Sequence, residues 1–389
     1  MIYVHVIDEF RLGGAQTHLV TMLRGLLRTS RAEHHVVGLF GDGEMGAPLR
    51  GLGIPVHVLD LRPLLDRGRF LQASTELKRL FLELRPDVVE AHLTWSRLLA
   101  LFAAWRAGVP RRIGFEQGDL YLNSGKFRMA NFGSQLFAHR IVVCSHALKR
   151  WVHRTHGIRN SKLVVLHNCV DLGRFSPQAL PADDLKPAAG VVRFCAVGTL
   201  GRGVNKRVDV LIRGLAVARS EGARAELLVC GDGDQRGELE SLAGSLGLGP
   251  YVHFLGTRRD IARVLRGCDV FCHAAPFEPF GIVALEAMAT MLPIIVPDAG
   301  GIRETVIEAR TGLLYPPLDA VGLGRAMAKL AADPPLCRRM GEAGRELARS
   351  NFSVENYVSR LRHLYQTPAF SCGKSSPRNR RESSNFGDA

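Results

Sequence analysis

Short apolar runs alternate with stretches whose apolar residues recur three and four positions apart, and this alternation continues along most of the chain. In residues 1–172 the runs Tyr3–Ile7, His35–Leu39, Val56–Leu59, Val88–Ala91, Arg112–Phe115 and Ile141–Cys144 read as strands. Between them Ala15–Leu27, Leu71–Leu84, Ser96–Ala107 and Ala147–His156 read as helices with one apolar face. Strands that are apolar on both faces, with helices between, predict a doubly wound parallel α/β sheet covered on both sides. Residues 173–190 break the pattern with Pro177, Pro181 and Pro187 and predict a linker. The alternation then restarts with strands Val191–Val197, Ala225–Cys230, Tyr251–Phe254, Val270–His273 and Ile294–Pro297. Helices are expected at Val208–Ser220, Glu238–Leu246 and Ile261–Arg266, from Phe280 onward, and at Leu318–Ala332, Pro335–Arg349 and Ser353–Tyr365.

The expected organisation is therefore two Rossmann-like domains, 1–172 and 191–350, facing across a cleft. A last helix follows at 351–367, and a Ser-, Arg- and Asn-rich segment, 368–389, is expected to be disordered. In open α/β sheets ligands lodge off the carboxyl ends of the strands, beside helix N-termini.

Composition changes this picture little: 23% charged and 46% hydrophobic residues are usual for a globular protein. Apolar runs such as Leu98–Trp105 are far shorter than the ~18 residues of a membrane span, and the start reads as a core strand, not a signal peptide. Eight scattered cysteines without a CxxC pair predict reduced thiols in a cytoplasmic protein. Cys268 and Cys272 beside His273 read as small buried hydrophobes, not metal ligands. The net charge of +14 lies mostly in residues 1–172, and no nucleic-acid signature accompanies it. Lys126-Phe127-Arg128, Phe132 and Phe137, with Lys149-Arg150-Trp151 and Arg154, are candidates for an anionic membrane surface; the alternative is solvated helices.

The stretch Pro276–Ala289 carries the most chemistry. Glu278 falls on a loop and Glu286 on the second turn of the helix it opens. The free N–H groups of Phe280, Gly281 and Ile282 would attract phosphate. Carboxylates on either side of such a helix end suit a ligand with hydroxyls at both ends and phosphates between, as in a nucleotide sugar. Glycine turns follow strands at Gly13-Gly14, Gly198–Gly203, Gly231-Asp232-Gly233 and Gly300-Gly301, and let backbone approach a ligand closely. Arg202, Lys206 and Arg207 crowd a helix start, where cations oppose the dipole unless an anion sits among them. Asp232 and Asp234 form an Asp-x-Asp pair without a third ligand, so no metal is assigned. His92, at a strand end, is expected to point into the cleft as a candidate acceptor or sugar contact.

These motifs together resemble the retaining glycosyltransferases of family 4, which have the GT-B fold. Glu278 and Glu286 resemble the family's E-x7-E pair, and Gly198-Thr199-Leu200 with Lys206 its G-R-L…K-G turn. Asp298–Glu304 resembles D-x-G-G-x-x-E, Gly13–Gln16 the first glycine loop, and Asn168–Asp171 the N-G-V-D before the linker. The resemblance implies that 1–172 is the acceptor side and 191–350 the nucleotide-sugar side, with the last helix crossing back. It implies Lys206, helped by Arg202, on the departing diphosphate, and Glu278 on the transferred sugar. It also implies Glu286 on the ribose, and Gly13, Gly14, Phe280, Gly281 and Ile282 beside the donor. Thr199 stands where the family has Arg, Cys169 where it has Gly, and Gln117 where many relatives have a sugar-side histidine.

The resulting expectation is a cytoplasmic, retaining, metal-independent transferase without a cofactor, its co-substrate a nucleotide-diphosphate sugar. The acceptor is expected to be a glycan or lipid-linked glycan in cell-surface polysaccharide or lipopolysaccharide synthesis, at the inner face of the membrane. Two alternatives stand beside it: a sugar-nucleotide epimerase or hydrolase on the same fold, and a degenerate partner subunit that binds nucleotide or glycan without turnover.

Overall fold

The computed structural model describes residues 1–118, 125–185, 190–201 and 206–366. Arg202, part of the linker and the segment 368–389 lie outside the described residues. The first sheet comprises β1 (Ile2–Ile7), β2 (Glu33–Gly38), β3 (Val56–Val58), β4 (Val88–His92), β5 (Arg111–Glu116), β6 (Arg140–Val143) and β7 (Leu163–Val165). Its order is β3-β2-β1-β4-β5-β6-β7. The second comprises β8 (Val192–Val197), β9 (Ala225–Cys230), β10 (Val252–Gly256), β11 (Val270–Cys272), β12 (Ile294–Pro297) and β13 (Gly312–Tyr315), in the order β10-β9-β8-β11-β12-β13. Every strand pair is parallel. These are two Rossmann-like α/β halves, as the alternating pattern predicts.

Both sheets reverse strand direction of growth at their centre, between β1 and β4 and between β8 and β11. Such switch points splay the loops that follow the two central strands and leave a crevice. The turns at Gly13-Gly14 and Gly198, and the loop carrying Glu278, all issue from these strands.

The helix Val354–Gln366 leaves the second half and packs on the helix Gly14–Thr29 of the first. Gly25 makes the close approach possible, because a Cβ there would meet Val354 at 2.3 Å and Val358 at 2.9 Å. Ser353 bridges to Val170, and Arg362 donates to the Thr29 carbonyl at 3.1 Å. Leu19, Leu23 and Leu26 share one buried cluster with Val354, Val358 and Leu361.

Several elements differ from the sequence expectation, among them the short helices Gly46–Arg50 and Arg62–Asp66. β7 and β13 are three- and four-residue strands at sheet edges, too short for a periodic signal, and the helix Gly125–Phe137 has a divided apolar pattern. The helix expected from Phe280 begins at Ile282, because Gly281 takes φ +81° and ends the preceding loop. The proline-rich connection is docked: Ala182 and Leu185 are buried, Ala182 N–H donates to Arg263 O at 3.1 Å, and Arg258 pairs with Asp184.

Candidate active site

At the β8–β11 switch point three titratable side chains converge. Lys206, in the turn after β8, donates from Nζ to Glu278 Oε2 at 2.6 Å. His273, just past β11, places Nε2 3.3 Å from the same oxygen. Burial alone would raise the Glu278 pKa, but Lys206 and His273 outweigh it and hold the carboxyl well below the usual range. Burial lowers the pKa of His273, and Glu278 only partly restores it. Glu278 is thus a fixed anionic acceptor, and Lys206 a cation placed at the mouth of the crevice.

The helix Ile282–Ala289 starts beside this pair. No side chain caps it and no acid lies in its first turn, so its positive end is available to a ligand anion. Gly281 is required there twice over. Its φ is left-handed, and a Cβ would meet Ile302 at 2.8 Å. On the second turn Glu286 is buried and makes no hydrogen bond within the described residues. Burial pushes its pKa up to about 7, with Arg174 pulling it slightly down. A buried carboxyl without a partner is costly to the apo protein and suited to a hydroxyl-bearing ligand.

Across the crevice stands the helix Gly14–Thr29, also without a capping side chain or an acid in its first turn. Gly14 is exposed, and a Cβ on it would sit 4.0 Å from Ile282 Cδ1. Two uncapped helix ends therefore approach one another, with Gly13 and Gly14 on one side and Gly281 and Ile282 on the other.

The two halves meet just below. Ser145 Oγ donates to the Pro279 carbonyl at 2.7 Å, and Gly301 N–H donates to Glu278 O at 2.7 Å. Gly118 lies so close to Pro279 that a Cβ would stand 2.2 Å from its ring. Glu304 accepts the N–H groups of His146 and Ala147 at 3.0 and 2.8 Å, and its Oε2 lies 3.0 Å from His167 Nε2. It thereby caps a helix of the other half. Sequence reasoning assigned no role to Ser145, His167 or His273, since only tertiary structure brings them here.

Other expected residues fall differently. The side chain of Phe280 is buried at this seam, its ring stacked on His167 at 5.4 Å and edge-on to Phe352. Only its backbone is left for a donor. Gln117 precedes Gly118, and its buried Oε1 has no hydrogen-bond partner. Arg207 is held by Asp209 in a two-bond pair at 2.8 Å, which leaves Lys206 as the described cation of its turn. Gly231 and Gly233 pack against the backbone of Gly198 and Leu200, so this turn supports its neighbour and does not face the crevice. Asp232 pairs with Arg236 at 3.2 Å. His92 is the clear departure: it is 1% exposed and lies inside the first half. β4 runs one residue further than expected, so His92 lies within the strand opposite Ile7 and Phe115, its ring stacked on Phe115 at 4.6 Å.

Residues 12–174 match Glycosyltransferase Family 4, and residues 192–347 match Glycosyl transferases group 1. A GDP-mannose-dependent alpha-mannosyltransferase of Mycobacterium tuberculosis is 30% identical over 339 residues, which cover 79% of this chain and 81% of that protein. The chain belongs to glycosyltransferase family 4. A glycogen synthase of M. tuberculosis is 26% identical over 310 residues, 76% of this chain and 72% of the relative. Among solved structures, HepE of Anabaena in complex with UDP and glucose superposes with a TM-score of 0.80 at 22% identity. That match covers 93% of this chain and 98% of HepE, and the shared fold is GT-B. The crevice of this glycosyltransferase is therefore the cleft between its two GT-B halves, with Lys206, Glu278 and the paired helix ends on its walls.

Proposed function

We propose that this glycosyltransferase transfers a sugar, with retention at the anomeric carbon, from a nucleotide-diphosphate donor to a hydroxyl of a glycan or lipid-linked glycan. The observation that carries the reading is the convergence of Lys206 and two uncapped helix N-termini on one crevice. That is a site for a diphosphate. Glu278 then accepts hydroxyls of the transferred sugar, and Glu286 accepts those of the ribose.

As the bond from the anomeric carbon to the phosphate oxygen breaks, the electron pair leaves with the diphosphate. Lys206 and the helix ends stabilise that charge, and they were oriented before the reaction began. The acceptor oxygen bonds to the anomeric carbon, and its proton passes to the departing phosphate oxygen on the same face. Because the charge is met by Lys206 and backbone N–H groups, the step calls on no added magnesium or manganese. Glu304 and Ser145 hold the halves together and help exclude water.

Similar proteins support a nucleotide-sugar donor: HepE was solved with UDP and glucose, and the mycobacterial mannosyltransferase is GDP-mannose-dependent. A relative from Rhizobium meliloti named for lipopolysaccharide core biosynthesis supports a surface glycan as product. Exposed Met129, Phe132 and Leu136 share one side of the helix Gly125–Phe137 with Lys126 and Arg128 nearby. This supports an acceptor presented at an anionic membrane surface at the cytoplasmic side. No described helix is long and apolar enough to cross a membrane.

The test is transfer from UDP-glucose and GDP-mannose to extracted glycolipid, with the product's anomeric configuration read by NMR. The expected product keeps the donor's configuration, and Lys206→Ala and Glu278→Ala each lose about 10²-fold or more in kcat. An inverted product would refute retention, conversion of donor without acceptor would indicate an epimerase or hydrolase, and near-normal turnover by either variant would refute the site.

A further inference from the structure

We propose that His5, Glu90 and His92, buried together between the first sheet and the crossing helix, bind a divalent transition metal with the ligand preferences of zinc. β1 and β4 pair in parallel with His5 opposite Glu90 and Ile7 opposite His92, so alternate positions put all three side chains on one face. That face is covered by the helices Gly14–Thr29 and Val354–Gln366. His5 Nδ1 lies 2.7 Å from Glu90 Oε2, and His92 Nε2 lies 3.6 Å from the same oxygen. One ligand atom from each falls within 4.8 Å of the others. Tetrahedral zinc with bonds of roughly 2.0–2.1 Å holds its ligand atoms roughly 3.3 Å apart, so a modest opening of the His5–Glu90 contact admits the ion.

Two further observations point to a ligand. Both ring nitrogens of His92 are buried without a hydrogen-bond partner, although the ring is fixed by stacking on Phe115 at 4.6 Å. A metal shared with Glu90 would take its Nε2, which faces Glu90 Oε2 across 3.6 Å. The outer contacts are also those of a metal site: His5 Nε2 lies 3.0 Å from His34 Nδ1, and Glu90 Oε1 accepts from the Tyr365 hydroxyl. Such partners fix the tautomer of a ligating histidine and orient a ligating carboxylate.

Two imidazoles and one carboxylate suit zinc, whereas magnesium and calcium favour all-oxygen sets. The ion takes no part in sugar transfer. Through Tyr365 it would tie the two central strands to the crossing helix.

The test is the metal content of the purified full chain, grown with zinc and measured by inductively coupled plasma mass spectrometry. About one zinc per chain is expected, falling to near zero in His92→Phe, which keeps the stack on Phe115 but cannot ligate. His146→Asn, in the separate exposed cluster with His167 and Glu304, should retain it. Chain grown with cobalt should show the visible bands of a tetrahedral site, a reading that depends on no variant. Wild-type chain with less than about a tenth of an equivalent of zinc and no cobalt bands overturns the proposal. So does zinc that persists in His92→Phe or departs with His146→Asn.

Discussion

Replacing Glu286 by Gln should make the apo protein more stable at alkaline pH while weakening its grip on the donor. The Glu286 side chain is buried and has no hydrogen-bond partner among the described residues, and burial moves its pKa from 4.5 to about 7. A carboxyl whose folded pKa lies above its unfolded one is tolerated only while neutral. Its favourable contribution is complete below pH 4.5 and is lost as pH rises through about 7. At 1.36 kcal/mol per pH unit, that interval amounts to about 3 kcal/mol at pH 8. An amide never ionises and so escapes the loss. For a domain of this size the gain corresponds to a Tm higher by roughly 6–12 °C at pH 8. At pH 5 wild type has lost less than about 1 kcal/mol, and the two proteins should melt nearly together. Calorimetry at both pH values, without donor, measures the difference directly. The same substitution removes a charged acceptor from the ribose, so donor affinity should fall by roughly tenfold or more. A variant no more stable than wild type at pH 8, or equally stabilised at pH 5 and 8, would refute the assignment of an unpartnered buried carboxyl.

Two other perturbations probe the seam. Gly301→Ala would place a Cβ 1.8 Å from Pro279 O and 2.5 Å from Ser145 Oγ, displacing the loop that carries Glu278. It should cost about 1–3 kcal/mol in thermal denaturation and weaken donor binding by calorimetry; unchanged binding would mean that the loop is not set by this contact. Glu304→Ala removes the acceptor for two helix N–H groups and the His167 contact. A loss of about 1 kcal/mol is expected, with a broader interdomain distance distribution in small-angle scattering. Neither change would mean that Glu304 does not hold the halves together.

Much of this fold was legible because parallel strands buried on both faces announce themselves as apolar runs. Eleven of the strands, β1–β6 and β8–β12, coincide with such runs within a residue or two. β7 and β13 pair on one side only and need just three or four residues, which leaves no pattern to read. Within the site, Glu278, Glu286 and Lys206 were singled out because the motifs around them resemble those of the family; their spacing alone did not do so. Ser145 and Glu304 had no role assigned, because their significance comes from contacts across 134 and 158 positions that no local rule encodes. His92 shows how narrow the margin is. One additional strand residue, with side chains alternating between faces, turned an expected cleft histidine into a buried one.

The crossing helix has a consequence for synthesis. Leu19, Leu23, Leu26 and Tyr3 finish their packing only against Val354, Tyr357, Val358 and Leu361, residues made about 190 positions after the last strand of the first sheet. At roughly 5–20 residues per second the ribosome needs about 10–40 s to cover that distance. Throughout that interval the nascent first half exposes an apolar strip along the helix Gly14–Thr29. It is during this wait, and not in the finished enzyme, that the chain most needs a chaperone to occupy the place of its own last helix.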